Sequence, residues 1–348
     1  MSMLSETVDA VIGVGTRSDT HTACMPDHLG RQISVITIPA DPAGCRMLLA
    51  RARRSTPGPR LAWAVEGTRS HGLGLTRVLQ ADGHAVAEAG RPARAGKRPG
   101  GKSDPADALQ AARHALAAEQ HAQPRADGAR EALRILLAAR AQAPTARTAA
   151  VNCLKALLLG APASLRESLR DHSTAQQVRK CRTLRVTARQ QIAEATLRAE
   201  LRRLAGHITG LDRELRANRL KLEELVRQVN PALPGQPGVG PMSAAQLLVS
   251  RSHPGRCRSE AAHAALAGAS PLQASSGKTA RHRLNRFGDR QLNRALHVIV
   301  NWRTLHHPET KDYLARRRAE QKTDPEIRRC LKRYAARQLF RLTEASAT

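Results

Sequence analysis

The chain is 348 residues long, with 57 Lys and Arg against 29 Asp and Glu, a formal net charge of +28; at roughly 100–200 residues per domain, that length predicts two or three folded domains. Hydrophobic residues make up 41% of the chain but aromatics only 2%, which assigns the cores to Ala, Leu and Val. The positive excess points to a polyanion, most simply nucleic acid, as for ribosomal and architectural proteins, while no apolar run reaches the ~18–20 residues of a membrane span and the opening MSMLSETVDAVIG lacks the parts of a secretory leader.

Val8–Val14, Thr22–Met25 and Ile33–Ile38 read as three successive strands, a meander. A helix around Ala43–Arg53 follows, and then a strand, Leu61–Val65, that runs directly into Glu66. Next come a helix Leu73–Gln80, a strand Ala85–Ala89 and a helix that begins near Asp104. This order describes an α/β layer on a mixed sheet. Arg91–Lys102, with Pro, Gly and five basic residues, reads as a flexible loop against phosphate.

From about Glu131 to Val229 the pattern predicts helices only. Leu197, Leu201, Leu204, Ile208, Leu211, Leu215, Asn218, Leu222, Leu225 and Val229 recur in alternating steps of four and three. That heptad keeps one seam facing a neighbour, and Asn218 is its single polar member, of the kind that fixes register. Two readings stay open: self-association through this helix, or a long helix packed within its own chain. Pro144 should break the helix before it, and Gly206 and Gly210 each weaken theirs by about 1 kcal/mol.

A Pro- and Gly-rich hinge, Pro231 to Pro241, opens a third, mostly helical segment. Five of the six aromatics lie in it (Phe287, Trp302, Tyr313, Tyr334 and Phe340), so it is expected to have its own core. Cys24, Cys45, Cys153, Cys181, Cys257 and Cys330 form no CxxC pair. Such spacing suits free thiols in a reducing cytoplasm better than a zinc module or a disulfide framework.

Three constellations carry chemistry. Glu66 stands at a strand end, and Asp104 and Asp107 are three apart at a helix start, a spacing that puts both carboxylates on one face. Mg²⁺ takes oxygen ligands and often only one or two carboxylates, so a metal could be shared here; Asp104 could equally be the helix N-cap, with Pro105 at the first helical position. The second is Ser275-Ser276-Gly277-Lys278, followed by Arg281, Arg283, Arg286, Arg290 and Arg294. A serine among cations is suited to attack a phosphodiester, or else to hold a phosphate by a simple hydrogen bond. The third is Pro237-Gly238-Val239-Gly240-Pro241, a turn whose backbone N–H groups can approach a phosphate, as in helix–hairpin–helix DNA binders.

Together these segments resemble the DEDD-type transposases of the insertion-sequence family numbered one-hundred-and-ten, whose better-studied members act as bridge-RNA-guided recombinases. In the first segment the resemblance rests on Val11-Ile-Gly-Val-Gly-Thr-Arg-Ser-Asp-Thr-His21, Val65-Glu66-Gly-Thr and Gly101-Lys-Ser-Asp-Pro-Ala-Asp-Ala108. In the last it rests on Pro237-Gly-Val-Gly-Pro241, Ser275-Ser-Gly-Lys278 and Arg286-Phe-Gly-Asp-Arg-Gln-Leu-Asn-Arg-Ala-Leu296.

The resemblance implies an α/β, RuvC-like (RNase H-type) domain with four acids over residues 1–130. A helical coiled-coil region over 131–230 and a mostly α C-terminal transposase domain over 231–348 would follow. It implies Mg²⁺ at the acids and a serine that links covalently to DNA. Glu66, Asp104 and Asp107 match the second, third and fourth acids; Ser276 matches the nucleophile, with Ser275 next to it. Lys102, Gly238, Gly240, Lys278 and the five arginines from Arg281 to Arg294 would meet nucleic acid. The implied partners are DNA, a structured guide RNA and further copies of the chain, as a dimer or a dimer of dimers. Leu201, Leu204, Ile208, Leu211, Leu215, Asn218 and Leu222 would form the contact. The expected location is the bacterial cytoplasm, at the nucleoid when DNA is bound.

The family's first acid lies six residues before the histidine, and here that position is Gly15. Arg69, His71 and Phe287 also replace usual family residues (Gly, Tyr and Gly). Loss of one carboxylate should weaken cation binding, so the expectation is an impaired copy. Two alternatives are a catalytically inactive nucleic-acid-binding protein, that is, a decayed transposase, and a Holliday-junction resolvase. The latter leaves the serine segment without a role.

Overall fold

The structure, a computed structural model, describes residues 4–27, 30–89, 103–118, 121–187, 190–273, 282–283, 285 and 287–345. It divides into two compact units, Met1–Ala126 and Asp127–Thr348.

The first unit runs α1 (Leu4–Thr7), β1 (Ala10–Thr16), β2 (Thr20–Pro26), β3 (Gln32–Pro39), α2 (Pro42–Ser55), β4 (Leu61–Glu66), α3 (Leu73–Ala81), β5 (Ala85–Ala89) and α4 (Asp104–Ala117). Its sheet has the order β3-β2-β1-β4-β5. The first three strands are antiparallel, and β1, β4 and β5 are mutually parallel, so the α/β layer and mixed sheet expected from the sequence are present. Alternation along each strand sorts the two faces. Ile12, Val14, Trp63 and Val65 share a core with Leu48, Leu75 and Leu79 of α2 and α3. Val11, Ala62 and Ala64 face α4 through Ala112 and Ala115. Small residues let α4 ride close to the sheet; a Cβ at Gly13 would overlap the Ala108 carbonyl oxygen. Asp41 caps α2, accepting from the Gly44 N–H at 2.7 Å, with Pro42 opening the helix.

The second unit is helical, with α5 (Ala129–Arg140), α6 (Ala143–Leu159), α7 (Ala163–Arg170), α8 (Thr174–Arg182), α9 (Ile192–Val229), α10 (Pro241–Arg251) and α11 (Glu260–Leu266). A short antiparallel pair, β6 (Leu272–Gln273) and β7 (His282–Arg283), precedes α12 (Arg290–His306), α13 (Pro308–Ala319) and α14 (Asp324–Ala345). Pro144 sits in the first turn of α6, where its missing N–H would have had no partner anyway, so it separates α5 from α6 as expected.

The 38 residues of α9 serve two cores. Leu201, Leu204, Ala205 and Ile208 pack with Leu154, Leu165 and Cys181 of α6, α7 and α8. Leu222 and Val226 pack with Leu133 of α5 and with Leu248, Leu292 and Ile299 farther along. Asn218 donates to the Leu136 carbonyl of α5 at 3.0 Å, and Arg140 donates to the Leu215 carbonyl at 2.9 Å. Leu201, Ile208 and Leu222 are fully buried within the chain, Leu204 and Leu211 nearly so, and Leu215 and Asn218 partly. Of the two readings of the heptad, packing within the chain is the one that describes α9, because a helix laid in its own bundle needs the same spacing as one laid against a second copy.

The third segment does not keep the core of its own that was expected, and its rings add little to the one it shares. Phe287, Trp302 and Tyr334 are exposed, and Phe340 is the buried ring. The core is instead Leu, Ile and Ala, including Ala244, Ala245, Ala264, Ala335 and Ala336, and it is shared with α5 and the end of α9. None of the described helices is long and apolar enough to cross a membrane.

Candidate active site

β1 and β4 run parallel with Val14 opposite Val65, so Gly15 and Glu66 come next in register, one strand spacing of about 4.8 Å apart. Alternation puts Gly13 and Gly15 of β1, and Ala62, Ala64 and Glu66 of β4, on the face that α4 covers. A Cβ at Gly15 would lie 3.7 Å from the Asp104 carbonyl oxygen and 3.9 Å from that of Thr22, which is ordinary contact. Gly15 therefore lies between Glu66 and the start of α4. The Thr16 hydroxyl donates to the Glu66 carbonyl at 2.8 Å and ties the two strand ends together. Gly67 follows with φ +63°, and its carbonyl accepts from the Ser70 N–H at 2.9 Å, turning the chain sharply after the acid.

The N-cap of α4 is Ser103, with extended backbone, so Asp104 is the first helical residue and not the cap. The Asp107 N–H donates to the Ser103 carbonyl at 3.1 Å. Both carboxylates lie in the first turn, where the helix dipole favours negative charge. Arg17, just past the end of β1, donates through Nη2 to Asp104 Oδ1 at 2.5 Å. The Arg17 side chain is 67% exposed, so the pair is worth at most about 1 kcal/mol. Sequence reasoning missed Arg17, although it stands two residues after Gly15 in the same quoted motif. His21 on β2 is buried, and desolvation holds its pKa below the usual histidine value.

These residues do not fit a divalent ion as they stand. Gly15 supplies no carboxylate and Asp104 faces a guanidinium. Among the described residues no three His, Cys, Asp or Glu side chains gather closely enough to hold a metal. Glu66, Asp104 and Asp107 thus surround one end of the sheet without closing into a ligand set.

In the second unit, Ser275, Ser276, Lys278, Arg281 and Arg286 lie outside the described residues, as does Lys102 in the first. Arg283 is the last residue of β7. Gly238 has φ +76°, and a Cβ there would come 2.9 Å from the Ile299 carbonyl oxygen, so its place in the turn is fixed by packing on α12. Gly240 is the N-cap of α10, and a Cβ there would meet nothing within 4 Å. Arg290 and Arg294 are exposed in the first turns of α12, which have no acidic residue. Cations there oppose the helix dipole, a cost that phosphate would offset. Asp289 caps the same helix, accepting from the N–H groups of Gln291 and Leu292 at 2.9 and 3.0 Å.

Residues 12–161 match the family model DEDD_Tnp_IS110, described as a transposase, a span that includes Gly15, Glu66, Asp104 and Asp107. Residues 231–315 match the model described as the transposase IS116/IS110/IS902 family, which includes the glycine turn, the serine motif and Arg290 and Arg294. No curated protein matches the chain.

Proposed function

Because the chain belongs to the IS110 family of DEDD transposases, we propose that it cuts and rejoins DNA at the ends of an insertion sequence, with sequence choice delegated to a structured guide RNA, and that this copy is impaired at its acidic site. The first unit corresponds to the RuvC-like domain. The strand order supports that reading, with Glu66 ending β4 beside the Gly15 end of parallel β1, since open sheets bind ligands beyond the carboxyl ends of their strands, where the order switches.

Ser276 is the nucleophile in this reading. Its hydroxyl oxygen would attack phosphorus and displace a deoxyribose hydroxyl, which takes up the proton; the phosphoserine ester then keeps the strand until a second hydroxyl reverses the step. Lys278, Arg281 and Arg286 would offset charge on the phosphate. The family generally depends on a divalent metal. The Gly15 position, beside Glu66 and against Asp104, is the observation that carries the impairment, because a carboxylate there would complete the acidic set.

The test pairs the chain with its Gly15→Asp variant on matching element ends and guide RNA, with Mg²⁺ affinity followed by calorimetry. Gly15→Asp should bind Mg²⁺ more tightly and join DNA faster; Ser276→Ala in that background should abolish joining and leave DNA binding intact. Equal joining and equal Mg²⁺ affinity at Gly15 and Asp would remove the impairment. Joining that survives Ser276→Ala would remove the serine.

Absence of joining in every variant, with binding retained, would favour the second reading, a decayed transposase that only binds nucleic acid. The ion pair between Arg17 and Asp104 supports that reading. Self-association as a dimer or a dimer of dimers belongs to the same proposal and is checked by light scattering with and without DNA.

A further inference from the structure

A cavity of about 380 Å³ opens in the second unit between α12, α13 and α14, beside Pro237. Val300, Leu331 and Ala335 give it an apolar floor, and Tyr313 and Tyr334 line it edge to face with ring centroids 6.0 Å apart. Tyr334 is 56% exposed. Arg303 enters from α12; its Nε donates to the Pro237 carbonyl at 2.8 Å and its Nη1 to Gln338 Oε1 at 2.9 Å. Both partners are neutral. Nη2 is buried and has no hydrogen-bond partner among the described residues. A buried donor left unpaired is costly, and burial also holds the Arg303 pKa below the usual arginine value. Arg316 lies over the Tyr313 ring, 5.5 Å from its centroid.

We propose that this cavity holds an unpaired nucleotide, its base stacked on the exposed Tyr334 ring and accepting a hydrogen bond from Arg303 Nη2, with Arg316 beside its phosphate. Rings over an apolar floor suit a flat heterocycle, and a guanidinium with a free N–H suits the oxygen or ring nitrogen on its edge. Bare phosphate would find only one side of this lining useful. The inference rests on the reading of the chain as a strand-joining enzyme, since exchange of strands exposes unpaired nucleotides.

The test titrates the full chain with short single strands carrying one 2-aminopurine, in DNA and RNA forms, and with a duplex of the same sequence. 2-Aminopurine emission should fall on binding. Tyr334→Ala should weaken single-strand binding about tenfold, Tyr334→Phe should leave it near the parent value, and duplex binding should stay unchanged in both. Whichever form shows the Tyr334 dependence identifies the strand as DNA or RNA. Equal single-strand affinity in Tyr334→Ala, or an equal loss on duplex, overturns the proposal. So does inorganic phosphate that displaces the single strand but not the duplex at constant ionic strength. Binding to duplex without Tyr334 dependence sinks this inference alone, whereas failure to bind any nucleic acid sinks the strand-joining reading with it.

Discussion

Two glycines on one strand face illustrate how little the residue type alone reveals. At Gly13 an added methyl meets the backbone of α4, and at Gly15 it meets ordinary contact distances. Gly13→Ala should therefore destabilise the first unit by about 1–3 kcal/mol, while Gly15→Ala should shift the urea midpoint little; a reversed ranking would refute the packing described for α4. A second residue-scale expectation concerns His263, which is almost fully buried against Phe340 and whose pKa desolvation pushes down to about 4. As pH falls below the unfolded value near 6.5, the unfolded chain takes up a proton that the folded chain refuses until about pH 4. Stability is thus full above pH 6.5 and declines toward pH 4, by on the order of 3 kcal/mol from this residue at most. His21, His121 and His297 are also lowered and act in the same direction. His263→Gln should flatten the pH dependence of the urea midpoint across this window, and an unchanged slope would discount the buried imidazole.

At the scale of elements, α9 is continuous through Gly206 and Gly210, and a Cβ at either would meet nothing within 4 Å. Gly206→Ala and Gly210→Ala should each stabilise the second unit by about 1 kcal/mol, read as a higher urea midpoint with unchanged m value. Neutral or destabilising alanines would mean that those turns touch something else. The elements themselves were legible because their causes are local. Alternation placed all five strands of the sheet within a few residues, and Pro144 marked a helix start. What covers a periodic face is not local. The Leu201–Leu222 spacing fitted a partner helix and the chain's own α5, α6 and α8 equally well, and only tertiary packing decides between them. The acidic site was partly legible for the same reason: strand ends and a helix start are visible in sequence, whereas the meeting of Arg17 with Asp104 depends on a register and an approach that no pattern encodes.

For the whole molecule, charge sets the behaviour toward polyanions. With 48 Arg among its 57 cations, the chain should bind DNA with an affinity that falls log-linearly with salt, by a slope of about −0.9 per phosphate contacted. Arg290→Gln together with Arg294→Gln should reduce that slope by about 2 in total while leaving sequence preference intact. An unchanged slope would remove those two residues from the nucleic-acid surface. The +28 excess sits on a scaffold whose cores are aliphatic and small, so attraction to a polyanion and the stability of the fold rest on separate sets of residues.

That separation bears on Gly15. No neighbour leans on the missing side chain there, and the sheet around it closes the same hydrogen bonds whatever residue supplies the backbone. Folding is therefore blind to this position. An ancestor that carried an acid and a descendant that lost it would be equally sound molecules, and only selection acting on mobility would tell them apart.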